Sequence, residues 1–393
     1  MVPKIDLPQG FQAAGINSGV RRYRPDFGVI FSKLPCKAAG TFTRSTMKAA
    51  PVLYCQEILP SDKVHAIVCN SGQANAATGL EGREDNLRLA AKTAEALGVE
   101  TKAVLISSTG VIGVRLPLDI LLPAVAPAVR SFGDSINNFG LAIMTTDLVP
   151  KFTSRVVELS GGKVVIAGAA KGSGMIHPNM GTMLGFILTD AAVELAWLDQ
   201  EVKAAVDETF NMISVDGETS TNDSVLVLAN GASGATTTAS ADRQLFTNAL
   251  REVMRELAMA IARDGEGASK LITVKVAGAP TLELARHAAR LITTSPLIKS
   301  AIHGEDPNWG RILARLGQAG VPAEGFDKLR VELQGVVVFD QGKPVKFDRP
   351  AAREKLHSEL VTINCYLGSG SHQATAWGCD LTKRYVEINT EYS

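Results

Sequence analysis

The chain of 393 residues carries 40 basic and 40 acidic side chains, and this cancelled charge removes the electrostatic basis for holding nucleic acid or an anionic membrane surface. Its length amounts to about two to three domain-sized units with ample core volume, so no disulfide or metal staple is needed. Cys36, Cys55, Cys69, Cys365 and Cys379 are odd in number, scattered and without CxxC spacing, which describes buried thiols of a reducing compartment, not a disulfide framework or a zinc site. No apolar run reaches the length of a membrane span, and Met1-Val-Pro-Lys-Ile-Asp-Leu-Pro8 lacks a long apolar stretch, so a cytoplasmic small-molecule enzyme is expected. Apolar residues at 46% with 36 glycines and few aromatics predict an α/β fold whose sheets need many tight turns.

In chain order, residues 28–31 and 40–43 read as short strands joined by turns. A fuller strand over 64–69 runs into Asn70-Ser-Gly-Gln-Ala-Asn-Ala-Ala-Thr-Gly79, a small-residue stretch that suits either a ligand loop or plain turns. Residues 85–97 have an acidic start, strong helix formers and Gly98 as a stop. The strand at 104–106 precedes Ser107-Ser-Thr-Gly-Val-Ile-Gly113, where turn amides and a threonine hydroxyl can converge on an oxyanion. Thr145-Thr-Asp147 follows a helix-like segment over 137–144, where hydroxyls serve equally as caps. Strands at 156–159 and 164–167 flank Gly161-Gly162 as a hairpin.

The hairpin leads into Lys171-Gly-Ser-Gly-Met-Ile-His-Pro-Asn-Met-Gly-Thr182, which has the composition of an irregular loop, and then into an apolar strand over 183–190. Thr182 stands on the boundary. Its hydroxyl can attack the unshielded carbonyl of Gly181, shift the acyl group from nitrogen to oxygen and free an α-amine. With an ordinary pKa of about 7.7 to 8.0, that amine is a built-in base for the same hydroxyl. A β-branched residue that merely begins a strand accounts for the same placement.

Beyond Asp190, Leu195, Leu198, Val202 and Val206 share a helix face. The polar stretch 210–223 carries Asp216, Glu218 and Asp223, able to bind an ammonium, without histidines or the spacing of a calcium loop. A strand over 224–229 and a long helix over 244–263 follow. Glu266, between two glycines in a helix-to-strand connection, is either a ligand group or a solvated turn residue. His303, alone in the loop 301–310, reads as a packed or hydrogen-bonded histidine. A strand at 329–333, a helix at 351–360 and an alternating segment at 385–393 close the chain.

Seven of these stretches, in order, resemble the ornithine acetyltransferase family, the arginine-pathway glutamate N-acetyltransferases of the N-terminal nucleophile class. They are Cys69-Asn-Ser-Gly-Gln-Ala-Asn-Ala76, Ser108-Thr-Gly-Val-Ile-Gly113, Met144-Thr-Thr-Asp147, Lys171-Gly-Ser-Gly-Met175 with Thr182, Asp264-Gly-Glu-Gly267, His303-Gly-Glu-Asp-Pro-Asn-Trp-Gly310 and the segment from Tyr385 to Ser393. The resemblance implies a layered sandwich of mixed sheets covered by helices, similar to the aminopeptidase-type self-processing fold. It implies cleavage after Gly181 into an α chain of residues 1–181, carrying the oxyanion-hole loop, and a β chain of residues 182–393. Two copies of each chain are expected to assemble.

Carried over by position, Thr182 resembles the nucleophile, Thr109 and Gly110 its oxyanion hole, and Thr145, Lys171, Thr182, Glu266 and Asn389 its substrate contacts; the family often ends with one further hydroxyl residue at the substrate, a place left here to Ser393 or to its terminal carboxylate. The family commonly has alanine where this chain has Gly181, a change that eases the strained attack. The Lys171 ammonium would bias a nearby α-amine toward its neutral form. The implied reaction moves acetyl from N2-acetyl-L-ornithine to L-glutamate through an acetyl-Thr182 ester, with no metal or cofactor and acetyl-CoA open as a second donor. A self-processing amidohydrolase or aminopeptidase and an unprocessed metabolite-binding module are the rival readings.

Overall fold

The structure, a computed structural model, describes residues 4–177 and 183–390. These divide into two compact units, the first from residues 4–172, 183–211 and 218–257, the second from 173–177, 212–217 and 258–390. Each unit is built on its own mixed sheet.

The first unit holds strands β1 (Phe11–Ile16), β2 (Phe27–Phe42), β3 (Ser61–Gln73) and β4 (Val104–Val111). It continues with β5 (Lys151–Leu159), β6 (Gly162–Lys171) and β7 (Leu184–Thr189); the two-residue β8 (Ile213–Ser214) belongs to the second unit, and β9 (Ser224–Ala229) returns to the first. The sheet order is β4-β3-β2-β9-β7-β6-β5, with β1 also on β2. Two pairs, β3 with β4 and β7 with β9, run parallel and the others antiparallel. The expected strands at 28–31 and 40–43 are two ends of one long β2. Its ladder with β3 is irregular between Phe31 and Ala38, where Pro35 has no N–H to donate.

The period-2 alternation sends side chains to opposite faces of this sheet. Phe27, Val29, Ala66, Val68, Val104 and Ile106 pack with Leu89, Leu121 and Val125, from the helices Gly79–Leu97 and Leu118–Arg130. On the other face Ile30, Ile67, Cys69 and Leu105 join Phe139, Phe186 and Leu228; the rings of Phe139 and Phe186 meet edge to face with centroids 5.0 Å apart. The helix Leu118–Arg130 contains Pro123 and Pro127, and its buried residues Leu121, Ala124, Val125 and Ala128 still recur at helical spacing.

The second unit holds β10 (Leu271–Ala279), β11 (Arg330–Leu333), β12 (Val336–Asp340), β13 (Lys343–Pro344), β14 (Leu360–Tyr366) and β15 (His372–Cys379). Their order is β13-β12-β11-β14-β10-β15-β8. The helix Leu282–Thr293, capped by Thr281, buries Ala285, Ala288, Ala289 and Ile292.

Two expected segments differ here. The helix placed at 351–360 is Arg349–Lys355, started by Asp348 accepting from the Ala351 amide at 3.0 Å, and Leu360 already pairs with Leu271 in the parallel β10–β14 ladder. The alternating segment at 385–393 is, over the described residues, the helix Lys383–Thr390. None of that helix's residues is buried, and Arg384 pairs with Glu387 along its surface, so its alternation has no sheet to serve. All five cysteines are free and buried. Among the described residues no helix is long and apolar enough to cross a membrane.

Candidate active site

Both stretches expected as loops after β3 and β4 begin as strand ends, through Gln73 and Val111, and only then leave the sheet. Asn70, Ser71, Gly72 and Gln73 pair in parallel with Ser108, Thr109, Gly110 and Val111. Gly110, at φ +131°, lies against Gly72 so closely that a Cβ would fall inside the Gly72 carbonyl. Only glycine combines that torsion with that approach. Thr109 beside it is buried, and its Oγ1 accepts a hydrogen bond from Lys171 Nζ at 3.2 Å.

Lys171, the last residue of β6, is 6% exposed and pairs across the sheet with Leu184 of β7. Burial lowers its pKa; Asp147 works against that shift and Lys151 adds to it. Asp147 is the organising carboxylate of the neighbourhood. Its Oδ1 accepts from Lys151 Nζ at 2.7 Å and from the Gly172 amide at 2.8 Å, and its Oδ2 accepts from the Thr145 amide at 2.9 Å. Burial alone would raise its pKa, but Lys151, Lys171 and these hydrogen bonds outweigh it and hold the group well below the usual carboxylate range. The Thr145 carbonyl accepts from Arg21 Nη2 at 3.2 Å. The first unit therefore brings Thr109, Gly110, Thr145 and Lys171 into one hydrogen-bonded neighbourhood.

In the second unit Glu266 is buried and its amide donates to the Ser173 carbonyl at 3.0 Å. Gly174 packs against the Glu266 carboxylate with no room for a Cβ. Asn389 Nδ2 donates to Glu266 Oε2 at 2.9 Å and to the Tyr385 carbonyl at 3.0 Å, so these two expected ligand residues stand together. Asp216 does not stand free as a ligand group: its two oxygens accept from the Met175 and Ile176 amides at 2.6 and 2.8 Å. Arg290 Nη2 donates to His177 Nε2 at 2.9 Å, which leaves the proton on Nδ1 to donate to Ser214 Oγ at 3.2 Å. Burial first, and then Arg290, bring the His177 pKa down to about 4. His303 is a hydrogen-bonded histidine, its Nδ1 3.0 Å from Asp380 Oδ2. Gly181, Thr182 and Ser393 lie outside the described residues.

Three contributors escaped the sequence reading. Arg21 lies in a stretch without a distinguishing signal, and Asp147 was quoted only as the end of the Met144-Thr-Thr-Asp147 motif, with no role of its own. Asn222 sat unremarked beside Asp223, and its carboxamide reaches both strand ends. Asp223 itself is buried, with neither carboxyl oxygen hydrogen-bonded among the described residues. The amides of Met183 and Ser220 and the Lys171 charge favour its ionised form, but burial dominates and pushes its pKa well above the usual carboxylate value. Among the described residues no group of three His, Cys, Asp or Glu side chains is placed to hold a metal.

The ArgJ family profile matches residues 12–393. An arginine biosynthesis bifunctional protein ArgJ from Thermotoga neapolitana is 45% identical over 98% of this chain and 99% of its own length. The crystal structure of arginine biosynthesis bifunctional protein argJ from Bacillus halodurans is 40% identical, with a TM-score of 0.52 over 54% of this chain and 100% of that one. Ornithine acetyltransferase from Mycobacterium tuberculosis, solved in complex with ornithine, is 37% identical with a TM-score of 0.42 over 45% of this chain and 95% of that one. Fold and whole-length likeness define an α/β acyltransferase. The chain belongs to the ArgJ family.

Proposed function

We propose that this protein, an acetyltransferase of arginine biosynthesis by its family, moves the acetyl group of N2-acetyl-L-ornithine to L-glutamate through an ester on Thr182. Thr182 Oγ attacks the acetyl carbonyl, the oxyanion falls to Thr109 and Gly110, and the departing ornithine amine takes the proton held by the Thr182 α-amine. Glutamate then enters, and its amine takes the acetyl group from the ester. An amide is exchanged for an amide, so the chemistry is close to thermoneutral. Thr145, Lys171, Glu266, Asn389 and Ser393 hold the shared α-amino-acid parts of both substrates, with the Glu266 carboxylate suited to an ammonium.

The observation that carries this reading is Lys171, a buried lysine bonded to Thr109 and paired with Leu184, two residues after Thr182. Such a cation favours the neutral form of a nearby α-amine, the state a general base requires. The reading includes self-cleavage after Gly181 into chains of 181 and 212 residues (393 − 181), two of each in the assembled enzyme. Supporting it, the whole of the solved Bacillus halodurans chain corresponds to 54% of this one, the share that 212 of 393 residues makes. The relatives are named bifunctional, and we take acetyl-CoA as the second donor.

Intact mass under denaturing conditions tests the cleavage, with two fragments expected from the wild type and one whole chain from Thr182→Ala. Purified protein given N-acetylornithine and glutamate is expected to form N-acetylglutamate. Release of acetate without N-acetylglutamate would move the assignment to an amidohydrolase, and an uncut, inactive wild type to a binding module.

A further inference from the structure

We propose that Asn222 is a positioning residue for acyl transfer, its carboxamide holding the Ser108 carbonyl and so the placement of the strand end that carries Thr109 and Gly110. Asn222 Nδ2 donates one hydrogen to the Ser108 carbonyl at 2.8 Å and the other to the Ala74 carbonyl at 2.6 Å. Its Oδ1 accepts from Thr221 Oγ1 at 2.6 Å, and the side chain is 7% exposed. One buried amide thus ties the residue just past β3 to the β4 carbonyl that immediately precedes Thr109.

A peptide unit is planar and trans, so the Asn222 bond to the Ser108 carbonyl on one side and the ladder with β3 on the other together fix the plane that leads into Thr109. Besides the ladder with β3, three fastenings hold residues 108–110, and they act on different atoms. Lys171 holds the Thr109 hydroxyl, the Gly72 backbone confines Gly110, and Asn222 holds the Ser108 carbonyl. The hydroxyl of Ser108 is separately bonded to Asn70 Oδ1 at 2.6 Å, which fixes that side chain. An oxyanion donor acts through direction, and its misorientation costs catalysis with little effect on ground-state binding.

The inference rests on Thr109 and Gly110 being the oxyanion hole. Asn222→Asp keeps the shape and removes the donors, turning a carboxylate on two carbonyl oxygens. With N-acetylornithine and glutamate, kcat is expected to fall on the order of 10²-fold at about pH 8 with KM within about twofold. The ratio of variant to wild-type kcat should rise as the pH falls, because the protonated Asp regains one donor. Nearby titratable groups are Asp223 next in the chain, Lys171 from β6 and Cys69 from β3, whose thiol burial pushes up to about 12. These are common to variant and wild type, so the ratio isolates position 222. Asn222→Ala, the second variant should Asn222→Asp not fold, is expected to lose kcat equally at every pH. Wild-type kcat in either variant, or a KM raised as much as kcat is lowered, would overturn the proposal. Gly110→Ala separates the two layers: if it abolishes turnover while Asn222→Asp does not, only this inference fails, and if neither matters, the oxyanion-hole reading fails.

Discussion

Gly110→Ala tests the strand-end geometry most directly, because its cost follows from two features of the backbone. At φ +131° an L-residue carries strain of about 1–3 kcal/mol. The added Cβ would also overlap the Gly72 carbonyl, a backbone group that cannot swing aside. A carbon needs about 3.3 Å from a carbonyl oxygen, so the β3 and β4 ends must part by about 1 Å. Loosening one or two ladder hydrogen bonds adds about 1–2 kcal/mol, for a total of about 2–5 kcal/mol. Gly98→Ala is the control. Gly98 also lies in the left-handed region, at φ +69°, but a Cβ there meets nothing within 4 Å, so only torsional strain of about 1–2 kcal/mol applies. Urea unfolding of both variants beside the wild type gives the difference, and the acetyl-transfer rate should drop on the order of 10²- to 10³-fold for Gly110→Ala alone. Equal destabilisation of the two variants, with turnover retained in Gly110→Ala, would refute the reasoning.

Lys171→Met is expected to move the acid limb of the kcat profile to higher pH, because removing a neighbouring cation raises the pKa of an α-amine; an unmoved limb would show that Lys171 does not face that amine. Glu266→Gln should raise KM for N-acetylornithine by about tenfold or more with a smaller change in kcat, as read from initial rates, if the carboxylate receives the substrate's ammonium. Two buried aspartates should give opposite stability slopes. Asp147, held below its ordinary 3.8, contributes stability that is present above that pH and lost as the pH falls further. Asp223, raised above 3.8, keeps its proton longer folded than unfolded, so its contribution is lost as the pH rises from 3.8 toward the folded value. Urea midpoints against pH for Asp147→Asn and Asp223→Asn would each lack the corresponding slope.

Where one physical signal dominated, the sequence was readable. The hairpin at Gly161-Gly162, the buried strands at 184–189 and 224–229 and the long helix ending at Arg263 all stand, because apolar period and turn chemistry agreed there. The ends of β3 and β4 were misread as loops because Ser, Gly and Asn at strand ends are compositionally turn residues. Their strand character comes from pairing with each other, across a sequence separation of 38 from Asn70 to Ser108. The helix Leu118–Arg130 was hidden by Pro123 and Pro127, which local propensity rejects and a buried face tolerates. Thr109, Gly110, Thr145, Lys171, Glu266 and Asn389 were singled out through the motifs that carry the family resemblance. The groups bonded to the backbone at or beside them, Asp147, Asn222 and Arg21, were given no role, since a polar side chain that satisfies distant backbone looks in sequence like any other.

The sheet order gives a physical reason why cleavage after Gly181 would not separate the halves. Strands β7 and β9, both after the junction, sit inside the first unit's sheet, flanked by β6 on one side and β2 on the other. The β6–β7 ladder runs from Ile166 with Thr189 to Lys171 with Leu184, and the β2–β9 ladder from Lys37 with Ala229 to Phe42 with Ser224. Cutting one peptide bond removes a loop constraint and leaves both ladders intact. Residues 173–177, just before the junction, have their own anchors within the second unit. The Ser173 and Ile176 carbonyls accept from the Glu266 and Val215 amides, and Asp216 holds the Met175 and Ile176 amides. The segment therefore has fixed partners that cleavage does not touch. Lys171 and Thr109, both ahead of the proposed cut, would stay in place for a nucleophile that begins after it.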